Sequence, residues 1–208
     1  DITFRELHDR GFHDLYVTGT SLNHQRLIVF SYETYPDMKV KDALRISISI
    51  PLYFEAVYID KAGRVLNKKN LPAYFDLMVD GGFTGNFPIT MFDEITWRNG
   101  VTYRDSNPCT LGLRIDTPAQ IDHDKKMIGL APLQINHLNG YIGACYNYVI
   151  ENLNRNTLTA EDWSRTVSIS SGDIAPKIRK LSADEKDLLI GNGVSAMKGF
   201  LQNSENLN

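Results

Sequence analysis

Apolar and polar positions along this chain follow two alternating periods, which predicts a mixed α/β protein. Leu15-Tyr16-Val17-Thr18 is a short apolar and β-branched run and predicts a strand; residues 26–31 (RLIVFS) predict the next. Tyr35-Pro36-Asp37 reads as a turn into a helix over 39–47. Two periods compete there. Val40, Ala43, Leu44 and Ser47 share a helical face, whereas Ile46, Ile48 and Ile50 alternate as in a strand. A helix ending before Pro51 is preferred, because proline disfavours α geometry in the residue before it. Residues 54–60 predict a further strand, and the polar stretch 61–70 an exposed loop. Leu77-Met78-Val79 is a buried strand running into a tight turn at Asp80-Gly81-Gly82.

Beyond that turn, residues 110–115 (TLGLRI) predict a core strand and 116–126 a polar excursion. Leu138, Tyr141, Ile142, Cys145, Val149 and Leu153 recur at helical spacing. Val167-Ser168-Ile169-Ser170 predicts a strand. Ser182-Ala183-Asp184-Glu185 is a capping-box pattern opening a last helix through Leu189, Ala196, Met197 and Phe200, weakened in the middle by Gly191 and Gly193. The polar tail 202–208 is expected to fray.

Composition narrows the classes. With 42% hydrophobic and 23% charged residues, the 208-residue chain can build a core of one domain or a large piece of one. A net charge of -3 gives no reason to expect a nucleic-acid partner. Cys109 and Cys145 form no CxxC pair, so neither a zinc ribbon nor a disulfide scaffold is expected, and a reducing compartment, the cytoplasm in preference, is compatible. No apolar run approaches the roughly 18 to 20 residues that span a bilayer, so a soluble or membrane-peripheral protein is expected. The start at Asp1, without a signal-like segment, reads as a mature or trimmed product.

No metal or cofactor is expected. Asp122-His123-Asp124 reads as a solvated loop rather than a cation site, and His8, His13, His24 and His137 lack ligand spacing. Gly191-Asn192-Gly193-Val194-Ser195-Ala196 has the outline of a dinucleotide fingerprint, but follows a capped helix instead of a strand. Asp60, Asp93 and Asp105 read as surface carboxylates.

Asp80-Gly81-Gly82 is the centre of the functional reading. An Asp-Gly pair alone is most often a hairpin turn. A carboxylate at the end of a buried strand is also held by rigid backbone while facing a cleft, with glycines behind it that permit positive φ and close backbone approach. The surroundings extend the pattern. Arg45-x-Ser47-x-x-x-Pro51-x-x-Phe54 precedes Asp80-Gly81-Gly82-x-x-x-Asn86-x-Pro88. In this order the two motifs resemble the patatin-like phospholipase family. Thr20-Ser21-Leu22, residues 3–7 (TFREL), Leu181-Ser182 and Leu189-Ile190-Gly191 are similar to other parts of that domain.

The resemblance implies a three-layer α/β/α sandwich and a lipid acyl hydrolase with a Ser–Asp dyad. Asp80 would be the base, with Gly81, Gly82, Asn86, Pro88, Arg45 and Ser47 supporting the turn and active site. The apolar Pro51, Leu52, Tyr53 and Phe54 are expected near the acyl cleft. Arg45 reads either as a surface cation with a snorkelling stem or as a buried ion pair. The chain departs from the family pattern at the nucleophile: it contains no Gly-x-Ser-x-Gly, and no glycine-rich loop that would supply the oxyanion hole precedes its nearest matches. Gly19-Thr20-Ser21-Leu22-Asn23 and Gly193-Val194-Ser195-Ala196-Met197 both lack the final glycine that relieves the strained elbow. Residues 1–208 are therefore expected to be the carboxy-terminal portion of one such domain, an incomplete sandwich whose amino-terminal half carries the serine. The expected partners are that half, a lipid or acyl ester substrate and a membrane surface touched peripherally. The alternative is a non-catalytic α/β binding or assembly module degenerate from the same family.

Overall fold

The computed structural model describes residues 1–155, 157–174 and 179–205. They form a mixed α/β structure in two compact units, 1–86 and 87–208.

The first unit opens with helix α1 (Phe4–Asp9), closed at its start by the reciprocal bonds of Thr3 and Glu6. Strands β1 (Val17–Ser21), β2 (Arg26–Phe30), β3 (Val57–Ile59) and β4 (Asp76–Asp80) make one antiparallel sheet in the order β2-β1-β4-β3. Helix α2 (Val40–Ser47) lies against β1 and β4. It buries Ala43 and Ile46 and turns Leu44 and Arg45 outward, so the helical period wins over the alternating isoleucines. Phe4, Phe30, Met38, Ile46, Ile59 and Met78 are fully buried and form the core. Gly19 lets α2 come down on β1, since a Cβ there would stand 2.6 Å from the Ile46 side chain.

Two strands differ from expectation. The strand expected over 15–18 is β1, which begins at Val17 and runs on to Ser21. Its polar end stays in the sheet because Thr20 and Ser21 find partners in Thr84 and Asp76. The strand expected over 54–60 shortens to β3.

In the second unit, β5 (Glu94–Arg98) and β6 (Val101–Asp105) form a hairpin. Its turn is Asn99-Gly100, both at positive φ (52° and 81°), an Asn-Gly signal that sequence reading passed over. Strand β7 (Gly112–Asp116) pairs in parallel with β8 (Thr166–Ser170). The polar excursion expected over 116–126 is instead helix α4 (Pro118–Lys125), with Thr117 as N-cap and proline in its first turn. Helix α5 (Leu138–Arg155), the short α6 (Ala160–Ser164) and α7 (Ala183–Glu205) follow. Ser182 and Glu185 form the expected cap of α7, which continues unbroken through Gly191 and Gly193. Residues 206–208 of the tail and the Leu153 side chain lie outside the described part.

Burial along β7 is the reverse of what a core strand should show. Arg114 is buried, while Leu113 and Ile115 are exposed. Charge explains it: Arg114 bonds Asp116 (2.8 Å) and Glu151 (2.7 Å), and Arg155 bonds Asp116, Glu151 and Asp124. A second buried cluster joins Arg165 to Asp93 (2.6 Å) and Asp162 (2.8 Å), with Arg104 on Asp162 (2.7 Å). Asp93 therefore corrects its reading as a surface carboxylate, whereas Asp105 is exposed as expected.

Candidate active site

The end of β4 places Asp80. Gly19 of β1 lies opposite it in the sheet, and the Asp80 backbone N–H donates to the Ser49 carbonyl at 3.0 Å. The buried Ser49 hydroxyl donates to the Arg45 carbonyl at 2.7 Å. One backbone bond and one Ser49 hydroxyl bond thus tie the Arg45–Phe54 motif to the strand that carries the carboxylate. Sequence reading singled out Ser47 and Pro51 and missed Ser49, which lies between them and makes the connection.

Asp80 is half-buried, and its Oδ1 accepts the Gly82 N–H at 2.7 Å. Burial pushes the carboxyl above the ordinary carboxylate value, with the Gly82 bond opposing. The following Gly82–Gly85 turn, α3, redirects the chain. Neither Gly81 nor Gly82 is among the positive-φ glycines, and Gly81 has φ -62°. Conformational freedom is not the reason for Gly81. A Cβ there would lie 2.2 Å from Thr18 Oγ1 and 2.6 Å from the Thr18 backbone, so close approach to β1 demands glycine. At Gly82 a Cβ would meet only the side-chain tips of Asn86 and Asp80, each at 3.0 Å. Asn86 therefore folds back over Gly82.

This contrast gives a prediction. Gly81→Ala must displace backbone and is expected to cost about 1–3 kcal/mol in urea unfolding. Gly82→Ala should unfold near wild type, yet lower turnover in any active assembly, because it pushes on the Asp80 carboxylate itself.

Of the remaining expected residues, Arg45 is exposed and fits the surface-cation reading; Ser47 ends α2 half-buried. Pro51 begins a turn in which Tyr53 and Phe54 N–H groups donate to the Ile50 carbonyl. Leu52 is 93% exposed and sits at φ 72°, a strained conformation for a branched side chain. Tyr53 and Phe54 are also exposed. The segment 51–54 is thus an outward apolar projection anchored through Ser49 to Asp80. Pro88 is exposed and belongs to the second unit.

The two sequence decoys are not nucleophile elbows. Ser21 is fully buried and donates to Asp76 Oδ1 at 2.6 Å, and His24 Nδ1 lies 2.8 Å from the same oxygen. Burial pushes the Asp76 carboxyl up, but the bonds from Ser21 and His24 and the nearby Arg26 cation outweigh it and hold the carboxyl below its usual value. The trio fastens the start of β4 to the β1–β2 turn. Ser195 lies within α7, as does the dinucleotide-like run. Asp122 pairs with Lys126 and Asp124 with Arg155, and no metal-binding group occurs among the described residues.

Known proteins resemble this chain over part of their length. A 95-residue stretch, 45% of this chain, is 34% identical to the uncharacterized protein R571 of Acanthamoeba polyphaga mimivirus and covers 27% of that protein. The crystal structure of VipD from Legionella pneumophila has a similar fold over 97% of this chain, with a TM-score of 0.50 and 12% identity; the matched part is 35% of VipD. The chain therefore spans about a third or less of the length of either protein. Residues 2–93, which hold both motifs through Pro88, match the patatin-like phospholipase family.

Proposed function

We propose that this chain supplies the carboxylate half of a lipid acyl hydrolase, in which Asp80 is the base for a serine outside these 208 residues. The observation that carries the reading is the setting of Asp80: half-buried, at a strand end, with one oxygen fixed by Gly82 and the carboxyl raised by burial. A carboxyl raised in this way is a better acceptor for a hydroxyl proton than an ordinary aspartate. The serine oxygen attacks the ester carbonyl and its proton passes to Asp80. Backbone N–H groups stabilise the oxyanion. Asp80 then returns the proton to the departing alcohol, and water releases the acyl group by the same route. The exposed apolar segment Pro51–Phe54 is proposed to meet the acyl chain. The architecture proposed for the complete domain is the three-layer α/β/α sandwich, of which residues 1–208 form the carboxy-terminal portion.

A second reading, a non-catalytic module, is favoured by one observation: neither Ser21 nor Ser195 has an elbow geometry. Both readings give an inactive isolated chain, whereas a self-sufficient enzyme does not. Incubated with a short-chain nitrophenyl ester and a fluorophosphonate probe, the chain alone is expected to show neither turnover nor label. Turnover with labelling of Ser21 or Ser195 would overturn the placement of the serine elsewhere. Activity restored by adding a serine-bearing partner segment separates the hydrolase from the module.

A further inference from the structure

We propose that the free edge of β8 receives an extended, uncharged and apolar segment of another polypeptide, as a third strand beside β7 and β8. The ladder itself shows which backbone groups are open. The Gly112 N–H donates to the Arg165 carbonyl and the Ser171 N–H to the Asp116 carbonyl, so Val167 and Ile169 between them direct their backbone bonds to β7. Thr166, Ser168 and Ser170 turn their N–H and C=O groups the other way. The Ser170 carbonyl accepts the Asn192 side-chain amide at 2.9 Å. For the backbone groups of Thr166 and Ser168 no partner occurs among the described residues. Thr166 is nevertheless only 7% exposed. Unpaired backbone groups on a buried residue are rare, because a lost water bond has to be replaced by another partner.

The surroundings select a strand as the occupant. Residues 166–168 line a cavity of about 220 Å³ walled by α4, α6 and α7. Two residues of strand span the ~6.6 Å from Thr166 to Ser168. Donors and acceptors alternating at that spacing are the complement of an extended backbone, which a small molecule does not match. Ile121, Trp163, Ala196 and Phe200 form the walls, so side chains flanking the added backbone meet apolar groups. Consecutive apolar, β-branched residues suit a strand covered in this way. Asp124 and Lys125, also in the lining, carry opposite charges, so the site asks for no net charge. A second copy of this unit is the poorer occupant. The edge lies in a recess between helices, which admits a single strand but not another folded unit. Two strands alone make a marginal sheet, and a third continues the β7–β8 ladder. Asp80 belongs to the first unit, and the placement does not use it.

The test uses the full chain carrying Trp97→Phe, which leaves Trp163 as its one tryptophan, and the peptide acetyl-Thr-Val-Leu-Val-Thr-amide. Trp163 fluorescence is expected to shift on titration and to saturate by about 1 mM peptide. The same peptide N-methylated at every residue keeps its side chains and loses its N–H groups, so its affinity should fall about 10-fold or more. Amide exchange followed by NMR gives the register. With peptide, the Thr166 and Ser168 amides should slow about 10-fold or more, whereas Val167, already bonded to β7, should not change. Ala196→Phe fills the recess from α7 and should abolish binding, with an unchanged circular dichroism spectrum to confirm the fold. Absence of any fluorescence shift or exchange change would overturn the proposal. Equal binding of the methylated peptide would overturn it too, because the walls and not the edge would then be the site. So would Thr166 and Ser168 amides that already exchange slowly in the free monomer, since the edge would then be closed. Protection that grows with protein concentration in the absence of peptide would put a second copy on the edge instead. Asp80→Asn should bind the peptide as wild type, so failure here and failure of the hydrolase reading are distinguishable.

Discussion

If the complete protein is the proposed hydrolase, replacing Asp80 with asparagine is expected to lower its turnover roughly 100-fold or more while leaving the protein as stable as before, or slightly more so. The loss follows from removing a general base without changing its size. It corresponds to about 2.7 kcal/mol of transition-state stabilisation. The stability expectation comes from the sign of the shift. The folded-state value of Asp80 is raised by burial, so its favourable contribution exists only at low pH and is gone once pH rises through that value. Above that value the ionised group is a net cost that asparagine removes, while the Gly82 N–H keeps an oxygen to bond. The wild-type rate should likewise fall on the acid side at a pH above the ordinary aspartate value of about 3.9. Asp105→Asn, at an exposed position, is the proper comparison. Asp93 is not, because its carboxylate is buried on Arg165. Initial rates on a nitrophenyl ester, with thermal melts of both variants, check the pair of expectations.

Arg165→Leu is expected to cost about 3–5 kcal/mol, enough to unfold the second unit or nearly so. It leaves Asp93 and Asp162, whose side chains are fully buried, with Arg104 as their remaining cation. Adding Asp93→Asn and Asp162→Asn should recover part of the loss, because the stranded charges are then removed. Acid should attack the same cluster. Burial pushes the Asp162 carboxyl up, but bonds from Arg165, Thr159 and Arg104 outweigh it and hold it at about 2. Its contribution is complete above the unfolded value near 3.8 and disappears as pH falls toward 2. Both tryptophans, Trp97 and Trp163, belong to the second unit, so their fluorescence reports its unfolding selectively. Unchanged acid unfolding in the triple variant would contradict this role.

The first unit was largely legible because its apolar periods and its chemistry agree. β2, β4 and α2 come close to where the Arg26, Leu77 and Val40 runs put them, and Asp80 stands at a strand end as its motif implies. What escaped was tertiary. Nothing in an Asp-Gly-Gly string reveals that Gly81 is needed for contact with Thr18, or that Ser49 is the residue holding Asp80 to the Arg45 motif. The second unit was harder to read because ion pairs replace apolar burial. Arg114, Arg155 and Arg165 are inside while Leu113 and Ile115 are outside, which inverts the pattern on which strand prediction depends. Thr117-Pro118 and Asn99-Gly100 were local signals that could have been used for α4 and the β5–β6 hairpin.

If Asp80 serves a serine lying outside these residues, fluorophosphonate labelling of the complete protein and of its Asp80→Asn variant, followed by peptide mapping, will show it. The expected label is on a serine beyond residues 1–208, at a rate that collapses in the variant. A label on Ser21 or Ser195, or a labelling rate indifferent to Asp80, would contradict it.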